Sequence, residues 1–338
     1  MSAPTVTSAP SGTDAPESKT APLQAALHWV AKYGTLTAMV LLIVIFSLAA
    51  PDMAFLRASN LVQILNQSSL TAIIASGLTL VLVVGQFDLS SGYLASFTGI
   101  LATGLIANQG MPMSIAILLT LAAGVTVGLV NGLLVTKAGV NAVVATLGVG
   151  TIVVGIEFGY NAGMPVVLLP QAFTNLTLGS VFGIPNPIWF MVIILAVLWV
   201  LLNRTPLGQR MQAVGSNVTA ARLAGVRVDS VVIVAFAVAG ACAAVTGVLL
   251  ASTLGSGTIS AGDSYLLNAF AAAFLGAATL RDGEFHIVGT LVGVLLVNVG
   301  FNGLSLLGTP TYFQYIFQGG ILVFAVALST IARRLARG

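Results

Sequence analysis

The sequence predicts an all-α polytopic membrane protein of about ten transmembrane helices, with both termini in the cytoplasm. Three observations predict it. Only 6% of the residues are charged, against about 25% in a soluble domain, so most of the surface needs lipid as its solvent. Apolar stretches near the roughly 20 residues that a spanning helix requires recur along nearly the whole chain. The few cationic residues between them fall on one side of the predicted bilayer, as the positive-inside rule demands.

The elements follow in chain order. Residues 1–32, rich in Ser, Thr, Ala and Pro, read as a disordered cytoplasmic tail. Asp14, Glu17 and the lack of an early apolar core argue against a cleaved signal peptide. The remainder, 33–333, reads as one transmembrane domain with spans at 34–50, 61–84, 89–107, 112–136, 141–160, 187–203, 230–254, 264–280, 286–306 and 311–332. The first follows Lys32. Arg57, beside Asp52, is the one arginine left outside. Lys137 follows the fourth span, Arg204, Arg210, Arg222 and Arg227 the sixth, Arg281 the eighth, and Arg333, Arg334 and Arg337 the tenth; all of these land inside. The eighth span is short, yet deleting it would put the C-terminal arginines outside. The external loop 161–186 carries Pro165, Pro170 and Pro185 and reads as short irregular pieces on the membrane's outer face.

Within the spans, polar residues greatly outnumber ionisable ones. Gln63, Asn66 and Gln67 recur at i, i+3 and i+4, so they share one helix face. With Asn268 and Asn302 they are candidates for a path lined by neutral donors and acceptors, suited to a sugar or polyol. The alternative is interhelical hydrogen bonding in lipid, and it stays open for each residue. Asp88 and Glu157 are the carboxylates nearest membrane depth. Both lie close to span ends, where a side chain reaches water, and Asp88 or Ser90 is placed to cap a helix starting near Ser91. Gly124, Gly128 and Gly132, and Gly289 and Gly293, repeat at the spacing that lets membrane helices approach closely. The tripeptide Asn131-Gly-Leu recurs at Asn302-Gly-Leu, five spans later, the mark of a candidate inverted repeat.

The inside loop, 204–229, is the most hydrophilic part of the folded body. In it Gly215 to Gly225 reads as a complete short helix: Ser216 or Asn217 supplies the N-cap and Gly225 suits the left-handed C′ position. Ala220, Leu223 and Ala224 would form its apolar face. Such an element is either a docking helix or a surface helix lying on the bilayer.

Several function classes are excluded. The single Cys242 precludes an intramolecular disulfide and a Cys-based metal cluster. His28 and His286 do not form a metal-ligand set, the basic residues are too dispersed for a nucleic-acid surface, and no catalytic constellation occurs. The chain lacks a G-x-x-x-x-G-K-[ST] phosphate loop, so ATP hydrolysis would need another chain. A stand-alone secondary transporter is disfavoured by the lack of paired intramembrane charges. A membrane-embedded transferase is disfavoured by the lack of clustered carboxylates or histidines.

The chain resembles the permease subunits of bacterial ABC importers of the ribose and simple-sugar type. Residues 77–92, ending in Gln86-Phe-Asp88-Leu-Ser-Ser-Gly92, are similar to the family's G-M-T-x-V-x-x-x-G-G-I-D-L-S-V-G segment. Asn131-Gly-Leu-Leu-Val-Thr-Lys137 and Ala145-Thr-Leu-Gly148 resemble its next pair, and Arg204-Thr-Pro-Leu-Gly208, Ala213-Val-Gly-Ser-Asn217 and Ala221-Arg-Leu-Ala-Gly225 its cytoplasmic run. The resemblance covers about residues 55–330. It implies an inner-membrane permease pairing with a second permease chain, identical or paralogous. It further implies cytoplasmic ATP-binding subunits that hold ATP and Mg, and a periplasmic or lipid-anchored solute-binding protein. Gly215, Ser216, Asn217, Ala221, Arg222, Leu223 and Gly225 would then couple to the ATPase. Leu267 and Asn268 stand where relatives carry carboxylates, which marks a divergent subfamily. An autoinducer, nucleoside or branched amino acid remains an alternative solute.

Overall fold

The computed structural model describes residues 21–278 and 283–337. Arg281 and residues 1–20 of the predicted tail lie outside the described residues. Thirteen helices and one two-stranded ribbon make up the described chain. The first helix, α1 (Ala21–Ala49), begins within the stretch read as tail, and a short 3-10 turn (Pro51–Leu56) leads to α2 (Ala58–Val83). Then come α3 (Ser91–Ala107), α4 (Met113–Thr136) and α5 (Ala142–Asn161). After α6 (Gln171–Leu178), β1 (Ser180–Val181) pairs antiparallel with β2 (Ile184–Pro185). The remainder is α7 (Asn186–Arg204), α8 (Pro206–Ser216), α9 (Val218–Leu223), α10 (Val228–Leu254), α11 (Asp263–Ala277), α12 (Ile287–Leu306) and α13 (Tyr312–Arg337).

Each predicted span overlaps one helix. Six of them, α2, α4, α5, α7, α10 and α12, are long and apolar enough to cross a membrane; α3 and the apolar part of α1 are shorter. The eighth span, α11, has only 15 helical residues.

Burial separates centre from periphery. In its most apolar window α2 is 83% buried and α10 and α12 are 67% buried, whereas α4 is 22%. An apolar helix buried on all sides has to sit in the middle of a bundle, and α2 packs against α7, α10, α11 and α12. The outward faces of α4, α5 and α7 expose aliphatic side chains such as Leu118, Ile152 and Ile193, the surface that lipid solvates.

Close approach of backbones holds the bundle together. A Cβ at Gly128 would strike the Phe236 carbonyl of α10, and one at Gly124 would lie 2.6 Å from the Gly240 carbonyl. Gly289 and Gly293 press in the same way on Gly276 and Ala272 of α11. Both glycine series are therefore helix-packing faces, as their spacing predicts.

Two loops are more ordered than predicted. Residues 161–186 contain α6 and the ribbon rather than irregular pieces. The Ser252 hydroxyl of α10 donates to the Phe173 carbonyl (2.8 Å) and bonds the Thr177 hydroxyl (2.8 Å), while Val166 and Gly257 exchange backbone hydrogen bonds of 2.8 and 2.9 Å. The inside loop 204–229 holds two helices instead of one. The unpredicted α8 has a start signal of its own: Thr205 caps it, accepting from the Gly208 amide at 3.2 Å, and Pro206 occupies N1.

Candidate functional site

The charged side of the molecule is built from α8 and α9. Gly208, Met211 and Val214 of α8 are buried, and the Gln212 amide donates to the Leu202 carbonyl at 3.0 Å, fastening α8 beneath α7. Gly215 seats the end of α8 on the end of α2, where a Cβ would overlap the Val83 carbonyl oxygen. Ser216 belongs to α8, and its hydroxyl donates to the Gln212 carbonyl (2.9 Å).

Asn217 is therefore the N-cap of α9, and its side chain accepts from the Ala220 amide at 2.9 Å. At the other end Gly225 adopts φ +80°. Its amide donates to Arg222 and that of Val226 to Ala221, at 3.1 and 3.0 Å. This pair of bonds is a Schellman closure, which satisfies two of the helix's free carbonyls. The apolar face differs from the prediction. Ala221 is the residue turned inward, whereas Ala220 and Ala224 are exposed and Leu223 is 85% exposed. Arg222 is exposed beside it. A capped helix thus presents a leucine and an arginine outward.

A salt bridge ties the neighbouring helix ends: Lys137 Nζ lies 2.6 Å from Asp229 Oδ2. The hydrogen bond from Lys137 holds the Asp229 carboxyl below the usual carboxylate range.

Inside the bundle the predicted path residues separate. Gln63 and Gln67 are exposed on the first turns of α2, and Asn66 is half-buried. The side-chain carbonyls of Asn66 and of Asn268, on the adjacent α11, are buried without a hydrogen-bond partner among the described residues, as is the Ser68 hydroxyl. Asn302 differs. It forms a reciprocal amide pair with Asn60, both bonds 2.9 Å, so in this conformation it clasps α12 to α2 and presents no free amide to a path.

The sequence placed Asp88 or Ser90 as a cap reaching water, but Asp88 is buried and anchors a polar network that sequence reasoning missed. Asp88 accepts from the Ser90 amide (2.9 Å), the Ser90 hydroxyl (2.6 Å) and the Ser91 hydroxyl (2.8 Å). Asn131 of α4 donates to Ser90 Oγ at 2.8 Å, and the Leu89 amide donates to Thr146 of α5 at 3.0 Å. The turn from α2 to α3 is thereby locked to two other helices, and the dense Asp-Leu-Ser-Ser run was the available signal. Glu157 is fully buried, and among the described residues neither carboxylate oxygen has a partner that meets hydrogen-bond geometry; Ser260 and Asp263 are its polar neighbours. It does not reach water as its position near a helix end suggested.

Residues 60–326 match the family described as branched-chain amino acid transport system / permease component. The chain is 36% identical over 293 residues to the ribose import permease protein of Haemophilus influenzae, covering 86% of this chain and 90% of that relative. It is 36% identical to the ribose import permease protein of Bacillus subtilis, over 90% and 95% of the two chains. Identity to the D-allose transport system permease protein of Escherichia coli is 32%, over 93% and 96%. No solved structure matches.

Proposed function

We propose a function from one premise: this chain belongs to the bacterial permease-component family that its residues 60–326 match. It is a multi-pass inner-membrane permease of the ABC-importer class, and the solute we assign to it is a monosaccharide. The observation that carries the solute is identity of about a third, over roughly nine-tenths of the chain, to relatives named as ribose import and D-allose transport permeases. In this reading ten helices cross the bilayer and both termini are cytoplasmic. Two permease chains flank the path, ATP and Mg are bound by separate cytoplasmic subunits, and a binding protein delivers the sugar.

The chain's own residues would do two things. The α8–α9 unit, from Gly215 to Gly225, would dock on the ATP-binding subunit through outward-facing Leu223 and Arg222. Motion of α8 would pass to α2 through the Gly215–Val83 contact and onward into the turn held by Asp88. The unpartnered carbonyls of Asn66 and Asn268 support a path near α2 and α11, because buried acceptors without donors suit sugar hydroxyls. The family's description supports a second solute, a branched-chain amino acid.

The test is uptake by proteoliposomes holding the permease with its ATP-binding subunit and binding protein. Accumulation of labelled ribose or allose only with internal ATP is expected, outcompeting leucine. Uptake without ATP would overturn the importer reading, and leucine-selective uptake would overturn the sugar.

A further inference from the structure

Four arginines crowd the segment predicted to be cytoplasmic, and the protein itself engages only part of that charge. Arg204 lies over the Trp199 ring at 5.6 Å. Arg222 contributes, with Lys137, to the positive surroundings of Asp229. Arg210 and Arg227 are exposed and have no carboxylate within salt-bridge reach among the described residues. Both line a single cleft of about 440 Å³ between α8, the turn after α9, and the start of α10.

The cleft is amphipathic along its length. Arg210, Arg227 and Ser230 supply cationic and hydroxyl donors, while Leu207, Val231 and Val234 supply aliphatic wall. A helix rises about 1.5 Å per residue, so Val234 stands about 10 Å deeper along α10 than Arg227. That part of α10 belongs to a helix apolar enough to cross the membrane. The polar end therefore sits at headgroup level and the apolar end below it.

The geometry points to this cleft as a binding site for an anionic phospholipid, its phosphate held by Arg210, Arg227 and the Ser230 hydroxyl and an acyl chain lying on the partly exposed Leu207 and Val234. A free phosphate or nucleotide would satisfy the arginines but leave the aliphatic wall against water. An amphiphile satisfies both, and basic pockets at the cytoplasmic ends of membrane helices bind anionic headgroups for this reason. The lipid would brace α8 against α10, the two elements that flank α9. This inference rests on the membrane placement of the chain and is independent of which solute is carried.

The experiment is native mass spectrometry of the full-length permease purified with phosphatidylglycerol and phosphatidylcholine. Wild type should retain a phosphatidylglycerol adduct in preference to phosphatidylcholine. The R210Q/R227Q variant should lose occupancy on the order of fivefold for each charge removed, while R222Q, outside the cleft, should retain it. Should the double variant lose the wild-type melting transition, R210Q and R227Q are measured singly. Equal retention in wild type and variants overturns the site. Displacement of the adduct by glycerol 3-phosphate alone overturns the lipid assignment in favour of a simple anion site. Unchanged adducts with loss of ATP-binding-subunit retention would assign the cleft to the partner protein, and also overturn it.

Discussion

Gly215→Ala tests whether α8 is rigidly seated on α2. Alanine's Cβ would overlap the Val83 carbonyl oxygen and stand 3.0 Å from its carbon and 3.7 Å from Val84 Cα. The obstacle cannot swing aside, because the end of α2 is closed by hydrogen bonds from Val84, Gly85 and Gln86 to Leu80, Leu82 and Val81, of 3.3, 3.0 and 3.0 Å. Either α8 lifts away, uncovering Met211 and Val214, or the α2–α3 turn shifts. Overpacking of this kind costs about 1–3 kcal/mol, and alanine in place of glycine returns about 1 kcal/mol of helix propensity. The net is a destabilisation of about 1 kcal/mol, or about 2 °C in Tm for a chain of this size. Two assays read it: thermal unfolding in lipid nanodiscs, and uptake per ATP hydrolysed in proteoliposomes. Uptake per ATP should fall several-fold, since the displaced contact joins α8 to the end of α2, the route by which the proposed docking unit would pass its motion to the bundle. Gly225→Ala is the control. Its φ of +80° strains a side chain, but nothing among the described residues lies within 4 Å of a Cβ there, so α9 should loosen without moving α8. A Gly215→Ala protein with raised Tm and unchanged uptake would refute the seating.

Three further outcomes are expected. Leu223→Ser should leave stability within about 0.5 kcal/mol of wild type, because the side chain is already in solvent, yet weaken co-purification of the ATP-binding subunit about tenfold; undiminished co-purification would count against docking through α9. Gly240→Ala should lower stability by about 1–3 kcal/mol, because its Cβ meets the Gly124 carbonyl of α4; a stability gain would show that the α4–α10 contact is loose. Lys137→Met should cost well under about 1 kcal/mol at pH 7, since the bridge is solvent-exposed. Because the Asp229 pKa is lowered in the fold, this contribution is present above the ordinary carboxylate range and lost as pH falls through the lowered value. The Tm gap between wild type and Lys137→Met should therefore close below about pH 4, and a gap constant to pH 2 would contradict the pairing.

What was legible in the sequence is what short-range chemistry decides. The ends of α9 were readable because a cap needs only Asn217 and an amide three residues on, and a C′ glycine needs only its own left-handed φ. The glycine faces of α4 and α12 were readable because their spacing is set by the helix period. The face that α9 turns inward was not readable. Helical spacing admits Leu223 or Ala221 equally, and the lie of α9 against its neighbours selects Ala221. Thr205 and Pro206 did carry a start signal for α8, masked by the charge that made the whole segment resemble a loop.

The sequence by itself determined the solvent of this protein, the positions of its apolar helices and the capping of its exposed helix α9, because composition, period and caps act within one or two helical turns. Only the tertiary structure decided the fates of the polar residues. Asn302 meets an amide 242 positions away, and the Ser90 hydroxyl that donates to Asp88 accepts in turn from Asn131 of α4, 41 positions away. Glu157 is sealed in beside Ser260, and Arg210 and Arg227 are brought to one cleft. The physical reason is the same in each case. A polar side chain in a lipid-solvated protein takes its role from the partner it meets, and that partner is set by helix packing rather than by the neighbouring sequence.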